Sequence, residues 1–258
     1  MKYKTQNSTV IKGDGQEFCP SLSVDCVILG FHEGTLKILL NKFKNHTKWM
    51  LPGGFVFKTE NVDAAAYRVL KHRTGLDNIY LRQFHLFGDY DRTKIDENEQ
   101  MMKENNVEAD AQHWFLQRFV SVGYYALVEY SKVHITTDAD SEDIAWFHFD
   151  EIPQLYSDHN KIIDKALATI RQQIDYIPFG FELLPDKFAL SELRIIYETL
   201  IGKQLDRRNF QRKILSLGLI NKLDEVRKKW GYRSATLYEF DKEKYDEALD
   251  KGTSLINW

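Results

Sequence analysis

Two short apolar runs, residues 23–31 (SVDCVILGF) and 35–43 (TLKILLNKF), flank the turn signal His32-Glu33-Gly34 and predict a pair of strands. Leu36, Ile38 and Leu40 fall on alternate positions, the two-residue period of a strand in a mixed sheet. After Trp49, Met50 and Leu51, the tripeptide Pro52-Gly53-Gly54 predicts irregular backbone, because proline and paired glycines sit badly inside an element. The period then changes. Over residues 61–74, Val62, Ala65, Ala66, Val69 and Leu70 share one helical face, with Asn61 as N-cap, Asp63 in the first turn and Gly75 just past the end. Strands are predicted at 79–88, 118–130 and 145–149, and a helix at 162–174. Residues 89–111 are polar and acidic and predict a long loop, the kind that is either functional or disordered.

Residues 177–187 (IPFGFELLPDK) concentrate two prolines and a glycine and mark a boundary between domains at 1–178 and 179–258. Beyond it, Leu193, Ile196, Tyr197 and Leu200 predict a helix over 191–201, ended by Gly202. Asp206 then caps a second helix, 207–217, with Phe210, Ile214 and Leu217 inside and Arg207, Arg208, Gln211 and Arg212 on the other face. Strands at 219–220 and 235–240 follow, joined by a basic turn.

With 258 residues, 43% hydrophobic and 28% charged, the chain has the balance of a globular protein and the length of two domains. No apolar run approaches the roughly 18 residues of a membrane helix. The polar N-terminus does not resemble a secretory signal, and Cys19 and Cys26 are too few for a disulfide framework. The expectation is a cytoplasmic protein with no membrane partner. The net charge of −3 hides an asymmetry, because residues 187–233 hold twelve basic and five acidic side chains, a block of +7 in an acidic chain. Such a block fits a polyanionic partner or a merely solvated face.

Residues 54–76 resemble the Nudix box of hydrolases that cleave nucleoside diphosphates linked to another group. Gly54, Glu60, Arg68, Leu70, Gly75 and Leu76 match its spacing, but Val69, His72 and Arg73 stand where the box places glutamates. Magnesium takes hard oxygen ligands, and residues three and four apart on a helix would present them together. An aliphatic, an imidazole and a guanidinium offer none. The resemblance therefore implies a Nudix-like fold with no catalytic residues, no metal and no cofactor retained. A residual hydrolase using Glu97, Glu99 or Glu104 from the acidic stretch is the competing reading.

The predicted helix pair at 191–217 has the layout of a helix-turn-helix, or of an ordinary packed pair with a basic surface. In the first case Arg207, Arg208, Asn209, Gln211 and Arg212 face base edges and phosphates, and Lys213, Arg227, Lys228, Lys229 and Arg233 contact phosphates. Taken together, LPGGFV (51–56), SDHNKII (157–163), FALSELRIIYE (188–198), LDRRNFQRKI (205–214) and ATLYEF (235–240) resemble the Nudix-related transcriptional regulators. The resemblance spans nearly all of residues 20–240. It implies an α+β protein, a Nudix-like α/β/α sandwich with a mixed sheet followed by a winged helix-turn-helix domain. It also implies a homodimer that binds a double-stranded DNA operator and answers to a small-molecule effector, either ADP-ribose and related nucleotides or a sugar such as arabinose. The lost glutamates and the acidic stretch argue for the sugar, since negative charge repels a diphosphate. Candidate effector contacts are Asp25, Lys48, Trp49, Glu60, Tyr90 and Tyr124, with core packing as the rival role of each aromatic. Asp25 stands out because a lone carboxylate inside an apolar strand is costly to bury without a partner.

Overall fold

A computed structural model describes residues 10–77, 79–108, 110–137, 140–174, 179–227 and 234–251. The chain forms two compact units, one of residues 1–29, 37–127 and 132–166, the other of 30–36, 128–131 and 167–258. Among the described residues, no helix is long and apolar enough to cross a membrane.

The first unit is built on a seven-stranded sheet. Its strands are β1 (Phe18–His32), β2 (Thr35–Phe43), β3 (Trp49–Met50), β4 (Gly53–Phe57), β5 (Tyr80–Phe87), β6 (Val120–Glu129) and β7 (Ser141–His148). The order is β3-β2-β1-β6-β5, with β4 paired to β1 and β7 to β2. In the middle of β1, Val24 and residues 26–29 are buried without interruption, as befits a strand covered on both faces. Helix α1 (Val62–Thr74) lays Ala65, Ala66, Val69 and Leu70 inward, and Gly75 closes it in the left-handed conformation (φ 71°).

Strands β4 and β7 and helix α2 of this unit differ from the sequence expectation. Strand β4 begins at Gly53, so two residues predicted to be irregular are paired with β1, Gly53 opposite Asp25 and Gly54 opposite Val24. The glycine is there for closeness, since a Cβ on Gly53 would lie 2.6 Å from the Asp25 carboxylate and 2.8 Å from the Val24 carbonyl oxygen. Strand β7 starts at Ser141, four residues earlier than the apolar pattern suggested, and pairs with β2 as far as Phe43. The acidic stretch 89–111 holds a helix, α2 (Ile95–Glu104), rather than an extended loop. Met101 and Met102 enter a cluster with Ile11, Phe43, Phe115 and Leu116, each burial stabilising by roughly 1.5–3 kcal/mol. Asn98 is equally buried and donates from Nδ2 to the Phe115 carbonyl oxygen at 2.7 Å.

The second unit contains the winged helix. Helices α4 (Leu190–Ile201) and α5 (Arg207–Ser216) accompany a three-stranded antiparallel sheet of β8 (Phe188–Ala189), β9 (Ile220–Arg227) and β10 (Ala235–Phe240), ordered β8-β10-β9. Leu193, Ile196, Tyr197 and Leu200 of α4 are buried with Phe210 and Ile214 of α5, and Tyr197 meets Phe210 edge-on at 5.6 Å. Strand β9 runs on to Arg227, well past the predicted 219–220 pair. Helix α3 (His159–Gln173) starts in the first unit and ends in the second, and α6 (Lys242–Lys251) follows β10.

Candidate functional site

The carboxylate that looked isolated in the sequence is not isolated in the fold. Asp25 lies in a buried polar cluster that the strand order assembles from β1, β6, the loop after β5 and the start of α3. Ser121 Oγ donates to Asp25 Oδ2 at 2.6 Å, and Arg92 Nη2 lies 3.5 Å from the same oxygen. Arg92 is 6% exposed and also makes a two-pronged bond to Asp158, Nε to Oδ2 at 3.0 Å and Nη2 to Oδ1 at 2.9 Å. Burial works against the guanidinium's charge, yet Asp25 and Asp158 outweigh it and raise its pKa further. His159 completes the cluster, its Nε2 3.6 Å from Asp25 Oδ1 and its Nδ1 accepting from the Leu51 backbone N–H at 2.9 Å. Burial lowers the His159 pKa, in spite of the nearby aspartates, and favours the neutral ring.

Helix α2 is fastened beside this cluster by polar contacts. Glu97 accepts from Lys48 Nζ at 2.7 Å and from the Ser157 backbone N–H at 2.8 Å. Glu104 lies 3.2 Å from His46 Nδ1, and Asn98 accepts from the Tyr156 hydroxyl. Ser157 sits in the left-handed region (φ 52°) and donates from Oγ to the Arg92 carbonyl oxygen at 2.5 Å. Between the loop carrying Arg92 and the residues opening α3 lies a cavity of about 150 Å³.

The predicted effector residues are dispersed around this geometry. Asp25 is at its centre and Lys48 joins it through Glu97. Trp49, half-buried, packs edge-on against the half-buried Phe147 at 4.8 Å. Tyr90 is 84% exposed, and Tyr124 is buried with its hydroxyl on Asp63 of α1. Burial and Asp63 together raise the Tyr124 pKa. Glu60 is spent on the scaffold. It accepts from Arg68 Nη2 at 2.6 Å, Arg68 Nε at 3.0 Å and the Phe57 N–H at 3.0 Å. Partial burial opposes its charge, but these donors hold its carboxyl below the usual range. None of the six lines the cavity. The residues that do, Arg92, Ser157 and Asp158 among them, are not among the predicted site residues. Their signal was a single arginine in an acidic stretch and the polar run Ser157-Asp158-His159-Asn160 at a helix start.

The box positions on α1 are also placed. Val69 packs against Gly54, where a Cβ would meet Val69 Cγ2 at 3.0 Å. Arg73 is buried and donates to Ser141 Oγ at 2.8 Å, and the His72 carbonyl oxygen accepts from Thr136. Of the alternative acids, Glu97 and Glu104 are the ones bonded to Lys48 and His46, and Glu99 is exposed.

On the winged helix the basic face is realised. Asp206 caps α5, its side chain accepting from the Asn209 N–H at 2.9 Å, and Arg207, Arg208, Asn209, Gln211 and Arg212 are exposed. Lys213 is half-buried. Arg212 donates to Asn209 Oδ1 at 3.0 Å. Glu198 fixes the turn before α5, accepting from Arg194 at 2.6 Å and from the Leu205 N–H at 2.7 Å. Arg227, expected on phosphates, is instead tied to its own domain, donating to both Glu192 oxygens at 2.9 and 3.1 Å and to the Lys187 carbonyl oxygen at 2.8 Å. Lys228, Lys229 and Arg233 lie outside the described residues.

Residues 20–167 match the family model of the NUDIX domain, and residues 180–240 that of the NrtR DNA-binding winged helix domain. The chain is 30% identical over 234 residues to the ADPR responsive transcriptional repressor NtrR of Acinetobacter baylyi, covering 88% of this chain and 84% of that protein. It is similar to the crystal structure of Shewanella oneidensis NrtR complexed with a 27mer DNA, with 27% identity and a TM-score of 0.66 over 87% of this chain and 95% of that one. A MutT/nudix family protein from Enterococcus faecalis shares the fold at 22% identity, with a TM-score of 0.61 over 86% and 87% of the two chains.

Proposed function

Because the chain belongs to the family of NUDIX-domain proteins that carry an NrtR DNA-binding winged helix, we propose that it is a DNA-binding transcriptional regulator whose Nudix-like unit senses ADP-ribose. The observation that carries this reading is the match along 84% of a repressor named for its response to ADPR. The exposed arginine face of α5, in a winged helix with its turn and cap in place, supports the DNA half. The pentose effector expected from the lost glutamates and the acidic stretch finds no support among the relatives. The physical premise behind it also weakens, since that stretch folds as α2, with Glu97 and Glu104 bonded to Lys48 and His46. A homodimer, presenting two α5 helices to successive major grooves about 34 Å apart, completes the proposal.

The same reading makes the chain a sensor without turnover. A magnesium ion would need oxygen ligands on α1. Val69 is aliphatic and packed, Arg73 is buried on Ser141, and Glu60 is occupied by Arg68. This donor set does not fit the ion.

The test is an anisotropy titration of the full chain against DNA from upstream of its own gene, at fixed salt, with and without ADP-ribose. Operator affinity is expected to exceed that for scrambled DNA by at least the thousandfold range of specific regulators, and to change when ADP-ribose is added. Equal affinity for both DNAs, or indifference to ADP-ribose, overturns the respective half. Incubation with ADP-ribose and magnesium is expected to yield no AMP. AMP formation abolished by Glu60→Gln would make the chain an enzyme.

A further inference from the structure

Helix α3 is one uninterrupted element shared by the two units, its residues 159–166 belonging to the first and 167–173 to the second. Its sequence holds no proline or glycine, the residues at which helices most often kink. A single buried stripe, Ile162, Ile163, Ala166 and Ile170, runs across the boundary. At about 1.5 Å per residue, position 171 lies roughly 20 Å along the axis from position 158.

Both ends of this helix are fastened. At the N-terminus, the Asp158 carbonyl oxygen accepts from the Ile162 N–H at 3.1 Å, while the Asp158 carboxylate is held by Arg92. His159, in the first turn, accepts from the Leu51 N–H. At the other end, the exposed Arg171 donates from Nε to the Leu200 carbonyl oxygen at 2.7 Å. Its Nη2 lies against Gly202, 3.5 Å from where a Cβ would stand. The Leu200 carbonyl is among the last four of α4, which find no partner inside their own helix. A cation there also suits the negative end of the helix dipole. Gly202, left-handed at φ 77°, turns the chain out of α4 four residues before Asp206 caps α5. Arg171 therefore braces the first corner of the helix-turn-helix from a neighbouring helix, as Glu198 braces the second through the Leu205 N–H. What fixes these corners fixes the direction in which α5 presents its arginines.

We infer that Arg171 is a positioning residue for operator binding, and that through it α3 ties the aim of α5 to the state of the buried cluster around Asp158. The inference rests on the DNA-binding reading above and needs nothing of the effector's identity.

Anisotropy titrations of the full chain against operator and scrambled DNA, with no effector added, test both parts. Arg171→Ala is expected to weaken operator binding about tenfold, the worth of one charge-assisted hydrogen bond. Scrambled DNA, held by charge alone, should keep its affinity within about twofold. Arg171→Lys retains a donor for the Leu200 carbonyl oxygen and should recover most of the loss. Unchanged operator affinity in Arg171→Ala overturns the positioning role. So does a loss shared equally by scrambled DNA, which would make Arg171 a phosphate contact. Equal affinity of the wild type for the two DNAs overturns the DNA-binding reading itself, before any variant is compared. A cycle combining Arg171→Ala with Asp158→Asn tests the tie. Sites this far apart ordinarily act independently, so that their effects on operator affinity multiply to within about twofold. The double variant is expected to depart from that product by more than about twofold, and a product obeyed within it overturns the tie. Melting curves establish that each variant is folded. Should Asp158→Asn not fold, His159→Gln, at the same end of α3, completes the cycle.

Discussion

Helices α1 and α5 both carry arginines along an amphipathic cylinder, and they spend them in opposite directions. On α1, Arg68 is clamped to Glu60 and the Phe55 carbonyl oxygen and covers the Phe57 ring at 4.4 Å, while Arg73 is buried on Ser141. On α5, Arg207 and Arg208 stand exposed in the first turn beyond a capped N-terminus. A guanidinium that completes its own fold is costly to remove and offers little to a ligand. One that its fold does not use costs little to remove and is available to a phosphate or a base edge. In the sequence the two sets look alike. Burial separates them.

The contrast can be broken in four places. Arg73→Ala should destabilise the chain by about 3 kcal/mol in urea unfolding, because Ser141 and the cavity left behind lose a charged, buried partner; a change under 1 kcal/mol would make α1's arginine as dispensable as those of α5. Arg208→Ala should leave the urea midpoint in place and weaken operator binding by roughly 1–3 kcal/mol if it reads a base, and an unchanged anisotropy titration would remove α5 from the interface. The third place is an acid in the second unit. Burial pushes the Glu182 carboxyl up to about 7, although the Tyr245 hydroxyl donates to it at 3.0 Å. A folded-state pKa above the unfolded value of 4.5 gives stability that is complete at low pH and is lost as pH rises through about 4.5 to 7. Glu182→Gln should abolish that slope and be more stable than wild type at pH 8 by about 1–2 kcal/mol, read from melting curves across pH. The smallest effect is Asp206→Ala, which loses the α5 cap at a cost of about 1 kcal/mol. Its operator affinity should fall less than that of Arg208→Ala, and a larger fall would mean that the cap itself positions the readers.

Much of the fold was legible because its elements follow one simple period each. The faces of α1, α4 and α5 read directly from apolar spacing, and Gly75 and Asp206 close and open helices where the sequence places them. Helix α2 was missed because the face it buries is Asn98, Met101 and Met102, in which an amide takes the place of an aliphatic side chain. The wing strand β9 was cut short because beyond Ile220 its residues alternate with no buried face at all. Strand β4 was hidden by glycines that serve close approaches rather than a turn, Gly53 to Asp25 and Gly54 to Val69. The candidate site was less legible. Asp25 stands out in the sequence for the cost of burying it alone, but its partners Arg92, Ser121 and His159 are 67 to 134 residues away in the chain. Only the strand order brings them together. Arg227 was assigned to phosphate by charge, and charge does not tell a sequence reader that Glu192 is within reach.

Glu192 bears two loads at one joint. Its Oε2 accepts from the Ala189 N–H at 2.8 Å, squaring the start of α4, and the same carboxylate grips Arg227 near the far end of β9. A rivet of that kind makes the first helix and the hairpin a single cast part.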